Sequence, residues 1–510
     1  MGYLKSIGIE PGTLFAFVGY MIIMVVIGAV CSKKSGTLDD YLLGGRGVGS
    51  WVTAFSAQAS DMSGWLLMGL PGAIFLGGMA DAWVAIGLAL GTLFNWLLVA
   101  PRLRVYTVKT NSLTLSTFFA ERFQDKTGML RVISALIILL FFTIYAASGM
   151  VAAGKLFNSM LHMNYQWAVV LGAAVVLLYT LMGGYLAVCW TDLLQGTLMF
   201  IAIIAVPLVT LHAVGGMEPV ITEASAKGLH LFPGEGSSLT WLGIISCAVW
   251  GLGYFGQPHI LSRFMSIKDV KLLPKSTSIA MTWVVISLFG ACAVAFVAMP
   301  VFPHLPKEEA ETVFIKLIGT FFNPWIGGIL LAAIMAAIMS TIDSQLLVTT
   351  SALTEDFYLR VVRRNASIRE SVWVSRGFVM VITIIAMLIA LFPNDTIFNI
   401  VKFAWGGFGA AFGPVVLMAL FSRKTTWQAA LAGMITGTVV MLLWYFLGLS
   451  KYMYEILPGF VANFIAIFIV NAIVKQDNAE IVADFDRVKA ELNGVSPVES
   501  GDIAAAPAEK

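Results

Sequence analysis

The chain has 510 residues, of which 59% are hydrophobic and only 12% are charged. Soluble domains carry about 25% charged residues, so a mean hydropathy of +0.87 indicates a membrane protein rather than one globular core. The net charge of +2 supplies no basic surface, which excludes nucleic acid as a partner. The four cysteines lie far apart in the chain, so neither a disulfide framework nor a metal cluster is implied.

Apolar stretches long enough to cross a bilayer predict an all-α, polytopic membrane protein with 13 transmembrane helices. We expect one transmembrane domain over residues 1–475 and a cytoplasmic tail over 476–510, partly disordered, with a short helix near 478–492. The predicted spans lie near residues 12–32, 51–76, 82–101, 130–150, 166–186, 190–212, 240–261, 277–302, 322–352, 373–393, 398–421, 427–448 and 455–474.

The distribution of basic residues predicts the orientation of these spans. With the N-terminus outside, the inward segments contain 23 of the 31 Lys and Arg residues and the outward segments contain six. Cytoplasmic loops are the ones enriched in Lys and Arg. The sequence therefore predicts an N-terminus outside and a C-terminus in the cytoplasm.

Small and polar residues interrupt the second span at residues 59–64, which read Ala-Ser-Asp-Met-Ser-Gly. The carboxylate of Asp61 costs about 2.5–3.5 kcal/mol at the centre of a span, and its neighbours are poor helix formers. Unpaired backbone is tolerated in the bilayer only where protein or a cavity covers it. We expect this segment to unwind and to turn its carbonyl groups inward. The alternative is that the serines bond to their own helix and Asp61 caps a neighbouring one.

A second interruption lies in the seventh span at residues 250–259, Trp-Gly-Leu-Gly-Tyr-Phe-Gly-Gln-Pro-His. Pro258 removes a helical hydrogen bond and the three glycines lower the helix propensity, so this span should also break or bend. Trp250 and Tyr254 lie one turn apart beside the break. They are either ordinary packing residues or part of a binding site.

Hydroxyl side chains cluster within the ninth span. Ser340, Thr341 and Ser344 lie within one helical turn, and Ala337 is one turn earlier. Neutral oxygen atoms suit a hard alkali cation, whereas a transition metal would need convergent Cys, Met or His. Asp192, at the edge of the sixth span, is either a further functional acid or an interfacial residue.

The sequence contains no complete motif for ATP hydrolysis or covalent catalysis. The segment 149–155 nearly matches a phosphate-binding loop, but Leu156 occupies the position of the magnesium-binding hydroxyl residue. We therefore expect a carrier driven by an ion gradient, with no enzymatic activity and no organic cofactor. The interrupted second and seventh spans are five apart in order, which predicts two inverted repeats at about 51–212 and 240–421.

Four stretches resemble the sodium/solute symporter family, in particular its proline-transporting branch. The resemblance covers about residues 14–470 and implies a LeuT-like core of five plus five helices with discontinuous helices. It also implies sodium-coupled secondary active uptake of L-proline across the bacterial inner membrane. The four stretches are SAQASDMSGWLLMGLPGA (56–73), LRVISALIILLFFTIYAASG (130–149), WGLGYFGQPHILSRFM (250–265) and NPWIGGILLAAIMAAIMSTIDSQLL (323–347).

The resemblance also implies roles for individual residues. Asp61 would organise a sodium site between the second and ninth spans, and Ser63 and Gly64 would couple that site to the substrate. Arg46 and Asp192 match positions that are linked to sodium-coupled transport. The sodium ligands would be the carbonyls of Ala59, Met62 and Ala337 and the hydroxyls of Ser340 and Thr341. The substrate-binding residues would be Ser63, Gly64, Trp65, Tyr145, Trp250, Tyr254 and Pro258.

Two acids depart from the family pattern. Asp343 stands where the proline branch has a hydroxyl residue, and Asp81 replaces a longer acid. Asp343 could pair with Asp192 or bind a second cation, which leaves the sodium stoichiometry open. The sequence also gives no oligomeric state.

Other functions remain as alternatives to proline uptake. These are transport of another small amino acid or organic solute, proton coupling, and a channel or sensor with the same fold. The polar residues cluster at breaks rather than along a whole span, and the tail is short, which favours a carrier. The expected partners are sodium, a small solute and the lipid bilayer.

Overall fold

The computed structural model describes residues 10–32, 42–181, 184–226, 231–234, 239–363 and 366–492. Within these ranges the chain is helical, and the only strand-like pairing is an isolated parallel bridge between Val48 and Ile267. The helices up to residue 226 are α1 (Pro11–Ser32), α2 (Ser50–Asp61), α3 (Trp65–Ala80), α4 (Ala82–Lys109), α5 (Leu115–Arg122), α6 (Met129–Leu161), α7 (Tyr165–Thr180), α8 (Tyr185–Ala213) and α9 (Met217–Ala226).

The second part of the chain repeats this pattern of long apolar helices joined by short connections. Its helices are α10 (Trp241–Gly256), α11 (Pro258–Ser266), α12 (Val270–Ala298), α13 (Val313–Phe321), α14 (Pro324–Arg360), α15 (Ile368–Ala390), α16 (Ile397–Phe421), α17 (Trp427–Phe446), α18 (Ile456–Ile473) and α19 (Ala479–Leu492).

Each predicted span coincides with a helix or a broken pair of helices. Of the helices in the described ranges, nine are long and apolar enough to cross a membrane, and the bent pair α2–α3 makes a tenth. Apolar but shorter helices occupy the first, fifth and seventh predicted spans, at Pro11–Ile27, Tyr165–Leu178 and Trp241–Gly256. The chain is therefore a multi-pass membrane protein. The exact count of 13 crossings and the boundaries of the domains and repeats stay predictions.

The break in the second span lies where the small polar residues predict it. Helix α2 ends at Asp61, α3 begins at Trp65, and the two helices differ in direction by 58°. Met62 has φ −83° and ψ 73°, outside the helical region. Residues 59–61 remain helical, so the break is narrower than the predicted segment.

Pro258 marks the second break. The last part of α10 is a tight 3₁₀ turn over Val249–Gly256, and Gln257 is extended with φ −83° and ψ 107°. Helix α11 then begins at Pro258, where the missing N–H costs nothing because the first helical residues have no intrahelical acceptor. The predicted break in the seventh span is confirmed.

Helices α14 and α16 are the most deeply buried of the long helices and form the centre of the molecule. Helix α14 packs against α1, α2, α6 and α8, and its hydroxyl-rich segment 337–345 remains helical. Helix α16 packs against the 3₁₀ turn of α10 and against α6, α17 and α18. Both breaks are therefore held against a central helix.

Helix α19 packs near the C-terminal ends of α4 and α5. Lys109 Nζ at the end of α4 lies 2.5 Å from Asp484 Oδ1, and Asn478 Nδ2 donates to Gln124 Oε1 at 2.5 Å. Ile481 and Val488 are buried. A helix thus occupies the position that the sequence predicts, while the remaining tail, 493–510, lies outside the described residues.

Candidate functional site

Oxygen atoms from α2 and α14 meet at the first break. The Ser340 hydroxyl lies 2.8 Å from the carbonyl oxygen of Ala59 and 3.2 Å from that of Ala337, and the Thr341 hydroxyl lies 3.4 Å from the same Ala59 oxygen. All four residues are buried. Met62, the fifth predicted ligand, is buried at the C-terminal end of α2. This set of neutral carbonyl and hydroxyl oxygens is chemically suited to a hard alkali cation.

Asp61 connects this oxygen cluster to three aromatic side chains. Its carboxylate Oδ2 accepts a hydrogen bond from the Tyr254 hydroxyl at 2.5 Å, and its backbone oxygen accepts from the Trp65 indole at 3.2 Å and the Tyr145 hydroxyl at 3.4 Å. The other carboxylate oxygen, Oδ1, is buried and has no hydrogen-bond partner among the described residues. The structure therefore brings Asp61, which the resemblance assigns to the sodium site, into contact with three residues that it assigns to the substrate pocket.

An aromatic cluster continues from Asp61 toward the N-terminal end of α16. The rings of Trp65 and Trp250 are 6.3 Å apart, and Trp250 also contacts Phe398 at 4.9 Å and Tyr454 at 5.5 Å. Trp65, Trp250 and Tyr254 are each no more than 2% exposed. These rings offer apolar faces beside a polar backbone break, and in this conformation they are shielded from water.

The remaining residues of the predicted pocket lie at the two breaks. Ser63 Oγ accepts a hydrogen bond from the backbone N–H of Trp65 at 3.3 Å. A Cβ atom on Gly64 would lie 2.9 Å from Ala152 and 3.2 Å from Ile338, so glycine allows α6 and α14 to approach the break closely. Pro258 is buried at the start of α11. The coupling role of Ser63 and Gly64 stays a prediction.

Asp192 forms a buried ion pair that the sequence does not reveal. The Arg263 guanidinium donates to Asp192 Oδ2 at 3.1 Å, to Ser56 Oγ at 3.0 Å and to Ser344 Oγ at 2.5 Å. Both charged side chains are fully buried. Asp192 is therefore not an exposed interfacial residue. Arg263, one of the basic residues counted in the inward segments, lies buried within α11. A buried acid requires a partner, and that rule is the signal that could have led to Arg263.

Asp343 lies close to this network without pairing with Asp192. Its Oδ1 accepts a hydrogen bond from the Thr180 hydroxyl, whereas its Oδ2 has no partner in the described part of the chain. The oxygens Asp192 Oδ1 and Gln195 Oε1 are also buried without a described partner. Since the ion-pair partner of Asp192 is Arg263, the proposed pairing between the two acids is not found.

Arg46 and Asp81 lie in connections between helices. Arg46, at the end of a 3₁₀ turn over Gly44–Arg46, donates to the backbone oxygen of Ser112 at 2.9 Å, which ties it to the connection between α4 and α5. Asp81 lies between α3 and α4. Burial raises the pKa of the Asp81 carboxyl above its ordinary value, and the Lys402 ammonium acts in the opposite direction. The role of Arg46 in coupling stays a prediction.

Glu311 caps the N-terminal end of α16 and was missed by sequence reasoning. Its carboxylate accepts from the backbone N–H groups of Ile397 and Phe398, both at 3.1 Å, and from Lys155 Nζ at 2.5 Å. This places Phe398 against Trp250. No spacing rule links residue 311 to the start of a helix 86 positions later, so only the tertiary structure reveals this cap.

Comparison with known proteins gives concordant results. The profile of the sodium:solute symporter family matches residues 41–437. The sodium/proline symporter of Escherichia coli is 46% identical over 499 residues, covering 96% of this chain and 98% of that protein. The high-affinity proline transporter PutP of Bacillus subtilis is 47% identical over 467 residues, covering 91% and 98%.

Solved structures of transporters share the fold. A Na+-coupled sialic acid symporter superposes with a TM-score of 0.78 at 19% identity, covering 92% of this chain and 100% of that one. A nucleobase-cation-symport-1 family transporter gives a TM-score of 0.54 at 12% identity, covering 88% and 98%. These likenesses concern the fold alone, and they confirm the predicted all-α architecture with discontinuous helices. With its family profile and its near full-length relatives, the chain belongs to the sodium:solute symporter family, a family of transporters and not of enzymes.

Proposed function

We propose that this protein takes up L-proline together with sodium by alternating access. The observation that carries the proposal is the cluster of neutral oxygens where the broken end of α2 meets α14, joined through Asp61 to the aromatic cluster. Near full-length relatives named sodium/proline symporter and proline transporter support the choice of substrate.

Sodium is the coupling ion in this proposal and would bind at the oxygen cluster. Its ligands are the carbonyls of Ala59, Met62 and Ala337 and the hydroxyls of Ser340 and Thr341. In this structure the hydroxyls of Ser340 and Thr341 donate to the Ala59 carbonyl oxygen. A cation between them would turn all these lone pairs toward itself, tie α2 to α14 and fix the backbone of the break. Because these ligands are uncharged, the bound ion adds one net positive charge to the site.

The membrane potential then supplies energy for uptake. Moving one positive charge inward gains about 2.3 kcal/mol per 100 mV. At about 1.4 kcal/mol per factor of ten, this corresponds to roughly 50-fold accumulation of a neutral solute before any sodium concentration gradient is counted.

The ordered break would receive the substrate. Backbone N–H groups near Ser63 and Gly64 bind the carboxylate of proline, and the faces of Trp65, Tyr145, Trp250 and Tyr254 cover the apolar ring. Pro258 interrupts the span between α10 and α11 beside this pocket. Since sodium and proline act on the same backbone, sodium raises the affinity for proline and proline raises the affinity for sodium by an equal factor.

The acids behind the break extend this proposal to a second cation. Asp192 and Asp343 each leave one buried carboxylate oxygen without a described partner, and Gln195 leaves a third oxygen acceptor. We place a second cation at Asp343, with Asp192 and Arg46 as coupling residues. A measured reversal potential, which reports the number of charges moved per proline, tests this assignment.

The orientation follows the distribution of basic residues. We place the N-terminus outside and helix α19 in the cytoplasm, in the inner membrane of a bacterium. Single cysteines introduced at exposed positions near each end, labelled with a membrane-impermeant reagent in intact cells, would check this orientation.

Labelled proline in proteoliposomes with an imposed sodium gradient tests the function directly. The wild-type protein should accumulate proline above its outside concentration, which a channel cannot do, whereas Asp61→Ala should abolish sodium-driven accumulation. Asp477→Ala, which changes an exposed acid beyond the last span, is the control and should accumulate normally. Normal accumulation by Asp61→Ala would remove the proposal. Counterflow with a panel of amino and imino acids, with sodium, lithium or protons supplied singly, separates the remaining alternatives.

A further inference from the structure

Trp405 of α16 contacts the break between α10 and α11 at three successive places. Its indole Nε1 donates to the backbone oxygen of Trp250 at 2.8 Å, and its ring meets that of Tyr254 edge to face at 5.0 Å and 85°. Its own backbone oxygen accepts from the side chain of Gln257 at 3.3 Å. Trp405 is 1% exposed. One residue of the central helix therefore touches both ends of the broken segment.

The contact between the indole and the broken segment leaves no free space. A Cβ atom added to Gly253 would lie closer than 3 Å to the Trp405 ring, and one added to Gly256 would collide with the backbone of Phe408. Glycine at these positions allows the 3₁₀ turn to lie directly on α16. The position of the indole is therefore transmitted to the backbone of the turn without an intervening flexible side chain.

The hydrogen bond from Trp405 fixes the orientation of Trp250. The Trp250 carbonyl lies in the buried 3₁₀ turn that precedes the interruption between α10 and α11. A carbonyl oxygen without a hydrogen bond is costly there. Binding this carbonyl holds the backbone of residue 250, and with it the ring that faces Trp65 at 6.3 Å. The same indole supports the ring of Tyr254, whose hydroxyl binds Asp61.

We propose that Trp405 is a positioning residue that sets the width of the aromatic pocket, and thereby its preference for the five-membered ring of proline over larger imino acids. This inference rests on the proposed function and concerns its selectivity. Trp405 acts through Trp250 and Tyr254. A pocket of fixed width distinguishes a ring with one additional methylene by about 10- to 200-fold, and a pocket free to widen loses part of that discrimination.

Trp405→Phe tests this role because it keeps an aromatic ring and removes the N–H donor. In proteoliposomes, the half-saturation for proline should rise by about tenfold, the effect of losing one buried hydrogen bond, while the maximal rate stays within about twofold. The half-saturation ratio of pipecolate, the six-membered analogue, to proline should fall at least severalfold. The control is Trp444→Phe, which loses a matching bond from Nε1 to the Met453 oxygen at 2.9 Å, outside the pocket. It should change neither quantity.

A second variant keeps the test decisive if Trp405→Phe does not reach the membrane. Gly253→Ala keeps the tryptophan at position 405 but places a Cβ atom 1.9 Å from the present position of its Nε1, so the indole must shift. This variant should therefore lower the same selectivity ratio. An unchanged ratio in whichever variant is folded overturns the inference, as does a loss of maximal rate with unaltered half-saturation. If wild-type protein shows no sodium-driven proline uptake, the proposed function fails instead. If wild type transports proline and the ratios stay constant, only the role of Trp405 is refuted.

Discussion

The hydroxyl of Ser340 offers a quantitative test of the oxygen cluster. Ser340→Ala removes an oxygen that lies 2.8 Å from the Ala59 carbonyl oxygen and 3.2 Å from that of Ala337. The substitution deletes one of the five proposed sodium ligands and the shorter of the two hydroxyl contacts between α2 and α14. It adds no bulk in a fully buried position.

The magnitude follows from the kind of interaction that is lost. A hydrogen-bonding group that acts on a charged partner contributes about 1.5–3 kcal/mol, whereas a bond between neutral groups contributes only about 0.5–1.5 kcal/mol. At about 1.4 kcal/mol per factor of ten, the sodium half-saturation should rise by about 10- to 150-fold if Ser340 binds the ion. The fold itself should lose only the smaller amount, so the variant should remain in the membrane.

The assay is the initial rate of labelled proline uptake over a range of sodium concentrations. Ser351→Ala is a matched control, because Ser351 lies on the same helix and its hydroxyl donates to the Leu347 carbonyl oxygen at 2.6 Å. Only Ser340→Ala should shift the sodium dependence, and saturating sodium should restore most of the proline affinity. An unaltered sodium half-saturation in Ser340→Ala, or an equal shift in the control, would refute the reasoning.

Three further substitutions probe contacts that surround the site. Glu311→Gln removes the charge that binds two backbone N–H groups at the start of α16, so thermal unfolding in detergent should show a loss of about 1–3 kcal/mol, and an unchanged midpoint would count against this cap. Arg263→Lys replaces the planar guanidinium group that donates to Asp192 and to the hydroxyls of Ser56 and Ser344, so the initial rate of proline uptake should fall at least about tenfold. An uptake rate equal to that of the wild type would contradict a role for this hydrogen-bond network. Lys109→Glu should release α19 and speed proteolysis of the tail, while adding Asp484→Lys should restore protection; no change in cleavage would refute the docking contact.

Local chemistry was enough to locate both breaks. Pro258 cannot continue a helix, and the small polar residues beside Asp61 favour unwinding in the bilayer, so breaks within 59–64 and 250–259 follow from the sequence. That residues 59–61 stay helical does not follow from it. The proximity of Ala59 to Ser340 does not follow in the same way. It was implied by the resemblance to a family, since no periodicity relates residues 281 positions apart.

The residues that were missed act through tertiary contacts. Arg263 reads as the first basic residue of an inward loop, yet it lies in α11 and neutralises Asp192 in the protein interior. Trp405 reads as an ordinary apolar residue of a span, and only the close approach of α16 to Gly253 shows what its N–H contacts. In both cases the sequence gives the residue type, while the packing of two distant helices decides its partner.

Reciprocal binding to the purified protein tests the central claim most directly, namely that sodium at the broken α2 prepares the site for proline. The dissociation constant for proline should be measured at several fixed sodium concentrations, and that for sodium at several fixed proline concentrations. We expect each ligand to strengthen the binding of the other by the same factor in wild type, and this coupling to be lost in Asp61→Ala. Proline binding that is independent of sodium would contradict the claim.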